Sequence, residues 1–253
     1  MATVGLLHPG EMGSALGGAL RASGHDVLWA SPGRSEATAR RAEAAGLENA
    51  GSVEKLAKAC DVILSVCPPH AAKQVSAAVA EAAGVFVDAN AISPATAREI
   101  ESKRGGSRFV DGGIIGPPPR SLGTTRLYLS GADAAIVAEL FEGTAVDVRV
   151  VSARIGDASA VKMAYAAWTK GTAALLLAIG LLAEAEGVEA PLLEEWRLSL
   201  PELPEAATRA ARSAAAKGWR WVGEMDEIAA TFAAAGLPDG FHRAAAEMFR
   251  SVP

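Results

Sequence analysis

The first half of the chain alternates short apolar runs with longer runs of helical periodicity. Seven apolar runs predict strands, at residues 3–7, 27–30, 62–67, 85–88, 109–113, 126–130 and 147–151. Helical patterns lie between most of them, which is typical of a mostly parallel sheet covered by helices on both faces. We therefore predict an α/β domain of the Rossmann type, with a doubly wound sheet, for residues 1–155.

The pattern changes after Ile155, where the predicted strands stop. Residues 157–186 contain no proline and predict one long helix, and everything beyond it is helical in pattern. We therefore predict an all-α domain over residues 156–253 that binds substrate and forms the dimer contact. The leucines between residues 175 and 182 fall on more than one face of the long helix, so we expect a second copy of the chain to cover them, giving a homodimer.

The start of the chain predicts a nucleotide-binding turn. A strand ends at Leu7, and a small-residue helix follows the turn. Gly10 lets the backbone approach a pyrophosphate, and Gly13 lets the helix pack closely on the strand. His8 replaces the first glycine of the G-x-G-x-x-G pattern, so the motif is partial. The expected cofactor contacts in this turn are His8, Pro9, Gly10, Glu11, Met12 and Gly13.

The end of the second predicted strand indicates which dinucleotide is bound. An Asp or Glu at this place would bind the ribose 2′-hydroxyl of NAD, but the chain has Ser31, Arg34 and Ser35. These residues suit a 2′-phosphate, so we expect the cofactor to be NADP(H). Arg40 and Arg41 follow, and we expect both to lie on a solvated helix face.

Three further segments follow predicted strands, where α/β folds bind their ligands. Residues 65–70 contain Cys67 and Pro68, expected beside the cofactor, and residues 88–94 place Asn90 near the nicotinamide. Residues 111–119 form a loop dense in glycine and proline, suited to close approach of a small molecule. Glycine and proline also occur in ordinary strand-to-helix connections, so no single segment indicates a binding site. The three segments together are stronger support for one.

The long helix opens with a candidate acid/base. Lys162 lies among Ala, Val and Met, where burying an ammonium group is costly without a partner. Helical spacing places Tyr165 and Thr169 on the same face. The alternative interpretation is that Lys162 extends to solvent and Tyr165 only packs.

Composition narrows the class of protein. The 253 residues carry a net charge of −5, which gives no electrostatic reason to expect nucleic acid. We expect a cytoplasmic protein, because the amino terminus has no signal-peptide pattern and no apolar stretch predicts a membrane span. The two cysteines, Cys60 and Cys67, flank one predicted strand, so we expect neither a disulfide framework nor a metal site.

The order of these elements resembles the β-hydroxyacid dehydrogenases, which include 3-hydroxyisobutyrate dehydrogenase and phosphogluconate dehydrogenase. The segments KMAYAAWTKG and WVGEMDEIAATFAAAGLP are most similar to a branch of phosphogluconate-dehydrogenase-like oxidoreductases. The resemblance implies hydride transfer between a nicotinamide and a small carbonyl or hydroxy substrate. It also implies that Lys162, six residues after Gly156, is the catalytic acid/base. We expect Tyr165 and Asn90 to assist it.

The chain departs from the family at positions that hold substrate. Ile115 occupies the serine position of the substrate loop, where only Gly116 survives of two glycines, and Tyr165 and Ala166 stand where the family has asparagine. We expect a less acidic or larger substrate than 3-hydroxyisobutyrate. The expected substrate contacts are Ile115, Gly116, Tyr165, Thr169 and His242.

Two alternative functions remain open. Imine reductases share the fold and use NADPH, but as a family they carry an acidic or phenolic residue in place of the lysine. Lys162 argues against that activity, while Tyr165 keeps it open. The second alternative is a protein that binds NADPH without catalysing a reaction, which retention of Lys162 disfavours.

Overall fold

The computed structural model describes residues 1–251, which form two compact units. The first unit spans Met1–Lys162 and holds every strand of the described chain, and the second begins at Met163. The units divide within the long helix, slightly later than the boundary we expected at residue 155. Both units contain the elements predicted for them, a sheet with helices in the first and helices alone in the second.

The first unit is built on an eight-stranded sheet. Its strands are β1 (Thr3–Leu6), β2 (Asp26–Trp29), β3 (Glu48–Asn49), β4 (Val62–Ser65), β5 (Val85–Asp88), β6 (Phe109–Ile115), β7 (Thr125–Ser130) and β8 (Val146–Ser152). The spatial order is β3-β2-β1-β4-β5-β6-β7-β8, and every neighbouring pair is parallel except β6 and β7. The order reverses direction between β1 and β4, which is where such sheets open a crevice for a ligand.

The helices of the first unit follow the strands. They are α1 (Glu11–Ala22), α2 (Glu36–Ala44), α3 (Val53–Ala59), α4 (Ala72–Ala77), α5 (Pro94–Lys103) and α6 (Ala134–Glu139), with a short 3₁₀ turn over Pro69–Ala71. Serine side chains cap the first turns of three of them. Ser35 accepts a hydrogen bond from the backbone of α2, Ser52 from that of α3 and Ser93 from that of α5.

Apolar residues bury both faces of the sheet. Along β4, Val62 and Leu64 pack into one core cluster, and Ile63 between them packs into the other. The alternation follows the two-residue period of a strand. A strand buried on both faces reads as a continuous apolar run, which is why β1, β4 and β5 were predictable from the sequence.

The second unit contains helices only in its described part. Helix α7 (Asp157–Glu186) starts in the first unit, and α8 (Glu189–Ser199), α9 (Leu203–Ala234) and α10 (Gly240–Ser251) follow. Trp221 of α9 packs edge-to-face on Phe249 of α10, with ring centroids 5.1 Å apart. Lys170 and Glu224 form a largely buried ion pair at 2.7 Å, so Lys170 is structural.

Helix α7 has the length and composition of a membrane span, with a mean hydropathy of 1.5 in its most apolar window, of which 28% is buried. The same properties occur in core helices of globular proteins. Its bounds agree with the helix predicted over residues 157–186.

Two predicted strands end two residues away from the predicted position, and one strand was not predicted. The strand predicted over residues 62–67 ends at Ser65, because Val66 begins the connection to the 3₁₀ turn. The strand predicted over residues 109–113 continues to Ile115, where its antiparallel pairing with β7 extends it. Strand β3, with only two exposed residues at the sheet edge, carries no apolar pattern and was not predicted.

Candidate functional site

The turn after β1 has the geometry expected of a nucleotide-binding turn. A Cβ atom on Gly13 would lie 2.2 Å from the carbonyl oxygen of His8, so only glycine fits there. A Cβ atom on Gly10 would meet no described atom within 4 Å, so the space above Gly10 is open. Helix α1 has no side-chain cap among the described residues, so its first N–H groups suit an anion.

Three predicted cofactor contacts, from the ends of three neighbouring strands, lie close enough to influence one another. His8 follows β1, Arg34 follows β2 and Cys67 follows β4. Burial and the positive charge of Arg34 lower the pKa of His8 from 6.5 to about 4, so its imidazole is neutral at pH 7. Burial lowers the pKa of Arg34, and Cys67 lies near its guanidinium.

Two nitrogen atoms in this group have unused hydrogen-bonding capacity. His8 Nδ1 and Arg34 Nε are both buried, and neither has a hydrogen-bond partner among residues 1–251. A buried polar atom without a partner is costly, so such atoms call for an explanation. A phosphate-bearing ligand in this part of the unit would explain Arg34, because a guanidinium group is a strong donor to phosphate oxygens.

Arg41 contacts the same turn, which corrects our expectation that it lies on a solvated face. Its Nε donates to the carbonyl oxygen of Pro9 at 3.4 Å, and one terminal nitrogen donates to Oγ1 of Thr38 at 3.1 Å. The Thr38 hydroxyl lies 3.1 Å from Oγ of Ser35. Arg40, as expected, lies on the surface and pairs with Glu36 at 3.2 Å. Hydrogen bonds through Thr38 and Arg41 therefore connect Ser35 to Pro9 in the turn after β1.

Asn90 joins the ends of β4 and β5. Its Oδ1 accepts a hydrogen bond from the backbone nitrogen of Cys67, and its Nδ2 donates to Oγ of Ser65 at 3.1 Å. The residue is 2% exposed, so both ends of its amide bond within the fold. Burial raises the pKa of the Cys67 thiol to about 12, which keeps it protonated at neutral pH.

The other predicted loop residues differ in burial and in their contacts. Ser31 Oγ accepts from Asn49 at 3.0 Å, which ties the end of β2 to β3. Pro68 is exposed before the 3₁₀ turn. Ile115 is buried at the end of β6, and Gly116 has a φ of +114° with no room for a side chain, because a Cβ atom would lie 2.0 Å from the carbonyl oxygen of Thr124.

Lys162 lies against β6. A Cβ atom on Gly113 would be 2.9 Å from the Cβ atom of Lys162 and 2.8 Å from the carbonyl oxygen of Ala158. Glycine at position 113 therefore lets the helix carrying Lys162 approach the strand directly.

The remaining predicted contacts belong to the second unit. Tyr165 is 47% exposed, and its carbonyl oxygen accepts from Thr169 Oγ1 at 3.3 Å. His242 is only 6% exposed, and its ring centroid lies 4.2 Å from that of Phe232 and 5.3 Å from that of Phe241. Burial lowers the pKa of His242, so its ring is neutral at pH 7.

Sequence reasoning missed the contacts of Arg41 and a buried hydrogen bond in which Oγ of Ser159 donates to Oδ1 of Asp111. Asp111 is a carboxylate within an otherwise apolar strand, and such a residue is rarely buried without partners. An aspartate inside this apolar run therefore indicates that buried hydrogen-bond donors surround its carboxylate. For Arg41 the usable indication was its spacing of three residues from Thr38 on α2.

Two family models match the chain. The NAD binding domain of 6-phosphogluconate dehydrogenase matches residues 1–146, and the domain of unknown function DUF1932 matches residues 183–252. An uncharacterized 28.5 kDa protein from a 7S RNA 5′ region of Methanothermus fervidus is 31% identical over 163 residues. That alignment covers 64% of this chain and 63% of the relative, so it spans less than two thirds of the relative's length.

Solved structures match almost the whole chain. A conserved protein of unknown function, described as similar in structure to 3-hydroxyacid dehydrogenases, is 29% identical with a TM-score of 0.73, and 99% of this chain and 96% of that chain are covered. The 3-hydroxyisobutyrate dehydrogenase of Mycobacterium tuberculosis, solved with L-serine, is 19% identical with a TM-score of 0.75. The match covers 99% of this chain and 93% of that chain.

An imine reductase from Myxococcus stipitatus, solved with NADP⁺, is 20% identical with a TM-score of 0.59. The match covers 98% of this chain and 93% of that chain. At these identities the last two structures show a shared fold. From the family models, the sheet order and the glycine turn together, we conclude that the chain belongs to the β-hydroxyacid dehydrogenase family and contains its NAD-binding domain.

Proposed function

We propose that this protein is an NADPH-dependent oxidoreductase that interconverts a small carbonyl compound and the corresponding hydroxy compound. The observation that carries the proposal is the convergence of His8, Arg34 and Cys67 beside a glycine turn at a helix N-terminus. The cofactor, when bound, supplies or accepts the hydride. The residues of the chain hold the cofactor, orient the substrate and move the proton.

Cofactor binding is assigned to the ends of β1, β2 and β4. The first turn of α1, including Glu11 and Met12, would bind the pyrophosphate through backbone N–H groups. Arg34 and the hydroxyl groups of Ser31 and Ser35 would bind the 2′-phosphate. Arg41, which reaches the carbonyl oxygen of Pro9, adds a second positive charge on the same side of the turn.

Lys162 is the proposed acid/base. Its ammonium group would donate a proton to the oxygen of a carbonyl being reduced, and the neutral amine would take that proton back in the oxidative direction. Tyr165 would donate a second hydrogen bond to the same oxygen. Asn90 would act by holding the loops after β4 and β5.

The proposed substrate is less acidic or larger than 3-hydroxyisobutyrate. Its contacts are assigned to Ile115, Gly116, Tyr165, Thr169 and His242. An isoleucine and a tyrosine replace the polar serine and asparagine of the family, which makes these positions more apolar and more bulky. Keto acids, aldehydes and ketones are therefore the first compounds to screen.

Cofactor preference gives the first test. We expect Arg34→Ala and Arg41→Ala each to weaken NADPH binding by about ten- to a hundredfold, because a hydrogen bond to a charged group contributes about 1.5–3 kcal/mol. NADH has no 2′-phosphate, so its binding should change little. Fluorescence titration of each variant with both nucleotides measures the two affinities.

The matched control is Arg40→Ala, which removes the same charge one residue away but from a side chain paired with Glu36 on the surface. Its NADPH affinity should stay within about twofold of the parent protein, since an exposed pair contributes little. Equal affinity of the parent protein for NADPH and NADH would refute the preference for NADP(H). Binding of neither nucleotide would refute the oxidoreductase assignment.

Imine reduction is the second candidate function. The phenol of Tyr165 is 47% exposed and can donate a proton, which is the observation that favours it. A panel containing cyclic imines beside keto acids and aldehydes separates the two activities. A protein that binds NADPH but turns over no member of the panel would instead support the non-catalytic alternative.

We also propose that the protein is a cytoplasmic homodimer. Leu175, Leu181 and Leu182 of α7 are 46%, 54% and 62% exposed in the single chain, and an apolar face of this kind favours association. We expect the parent protein to sediment at twice the mass of one chain. Replacing Leu181 and Leu182 together by glutamate should give monomers, because the charges would have to be buried.

The control for association is Leu122→Glu, at an exposed leucine in the loop between β6 and β7. This variant should retain the mass of the parent protein. A parent protein that sediments as a monomer at micromolar concentration would refute the dimer.

A further inference from the structure

The N-terminus of α7 is held by a carboxylate from the sheet. Asp111 of β6 is fully buried, and its Oδ2 accepts hydrogen bonds from the backbone nitrogens of Gly156 at 3.1 Å and Ser159 at 2.9 Å. Its Oδ1 accepts from Oγ of Ser159 at 2.5 Å. Ser130 Oγ, on β7, donates to Asp111 at 3.0 Å and accepts from the backbone nitrogen of Ala158 at 3.0 Å.

This cap differs from those of other helices in the first unit. Helices α2, α3 and α5 are capped by the serine that immediately precedes each helix, which satisfies the helix without fixing it to the sheet. The cap of α7 comes from two strands. Burying a carboxylate is costly, and four donors offset that cost only if the helix stays in one place relative to β6 and β7.

Two successive contacts join β6 to the first turns of α7, and the second of them is at Lys162. Asp111 and Gly113 are two residues apart on one face of the strand, and Ser159 and Lys162 are three apart on one face of the helix. Asp111 bonds Ser159, and Gly113 abuts Lys162. A shift of the first helical turn would therefore move the base of the Lys162 side chain along β6.

We propose that Asp111 and Ser159 are positioning residues that fix the height and rotation of α7 on β6 and so place Lys162 for proton transfer. The inference rests on the proposed role of Lys162 as acid/base. Cofactor binding is assigned to other strand ends, so loss of this cap should lower kcat and leave the affinity for the nucleotide unchanged. A misplacement of about 1 Å can lower a rate by about a hundredfold.

Ser159→Ala is the variant that carries the test. Asp111→Asn would replace one carboxylate oxygen by an NH₂ group, which cannot accept the hydrogen bonds made to that oxygen, and is expected to impair folding. Ser159→Ala instead removes one hydroxyl and leaves the backbone bonds. We expect kcat to fall by about tenfold or more, with the NADPH dissociation constant and the substrate KM within about twofold. Ser159→Thr retains the hydroxyl and should restore most of kcat.

Ser76→Ala is the matched control. Ser76 is a buried serine of α4 whose Oγ accepts from Arg104 at 3.3 Å, and it has no assigned part in binding or catalysis. It should lower the unfolding temperature by an amount comparable to Ser159→Ala while leaving kcat within about twofold. An equal fall of kcat in both variants would mean that general destabilisation accounts for the effect, and would overturn the inference.

A second readout needs no substrate. The rate at which an amine-reactive ester labels Lys162, measured by peptide mass spectrometry, reports the accessibility of that side chain. The exposed Lys58 of α3 is the internal reference. We expect Ser159→Ala to change labelling of Lys162 by about threefold or more and that of Lys58 by less than about twofold.

The outcomes separate the two proposals. Unchanged kcat and unchanged labelling of Lys162 in a folded Ser159→Ala protein would overturn the positioning role while leaving Lys162 as acid/base. Full activity of Lys162→Ala would overturn the acid/base role. In that case altered labelling in Ser159→Ala would still show that the cap fixes the helix, but the catalytic part of the inference would fall.

Discussion

Lys162→Ala is expected to lower kcat by about a hundred- to ten-thousandfold, the range that positioned general acid/base catalysis contributes. The nucleotide dissociation constant should stay within about threefold, because the residues assigned to the cofactor lie at the ends of β1, β2 and β4. The measurement is NADPH oxidation with the most active compound of the screened panel, together with fluorescence titration of the nucleotide.

Lys162→Arg separates proton transfer from charge. Arginine keeps a positive charge on a long side chain, but its guanidinium group does not deprotonate in proteins, so it cannot cycle as an acid/base. We expect Lys162→Arg to be nearly as inactive as Lys162→Ala. Activity of the alanine variant within tenfold of the parent would remove Lys162 from the mechanism, and would turn attention to Tyr165 and to imine reduction.

Gly13→Ala is expected to lower the free energy of unfolding by about 3 kcal/mol, at the upper end of the usual cost of overpacking. The reason is the 2.2 Å between the added Cβ atom and the carbonyl oxygen of His8, since both are backbone-fixed and neither can rotate away. The turn would have to open, so NADPH affinity should also fall by tenfold or more. Denaturant unfolding and nucleotide titration measure the two effects.

Gly18→Ala is the control on the same helix. There the nearest atom to the added Cβ would be Cβ of Ala45 at 3.6 Å, an ordinary contact. Alanine is favoured over glycine within a helix by about 1 kcal/mol, so this variant should be slightly more stable than the parent. Equal stability of the Gly13 and Gly18 variants would mean that the turn can accept a Cβ atom at position 13, against the 2.2 Å contact with His8.

Gly10→Ala separates binding from folding. A Cβ atom there meets no described atom within 4 Å, and the backbone of Gly10 is in an extended conformation open to any residue. Stability should therefore be unchanged. Nucleotide affinity should fall, because the methyl group would occupy the space through which a pyrophosphate approaches the turn.

The sequence by itself determined the fold class and most of its elements. Strands buried on both faces leave continuous apolar runs, and the absence of proline over residues 157–186 predicts one long helix. The glycine turn after β1 was also predictable from the sequence, because Gly13 is needed for close packing between β1 and the helix that follows it. Family membership follows from the same local patterns.

Only the tertiary structure decided which polar residues meet. The edge strand β3 exists because β2 offers it a partner, and two exposed residues leave no periodic pattern. Arg41 reaches Pro9 and Asn90 reaches Cys67 across 32 and 23 residues of sequence, and Asp111 holds a helix start more than 40 residues later. Local propensity determines helices and strands, whereas hydrogen bonds between distant residues depend on how the sheet brings the ends of its strands together.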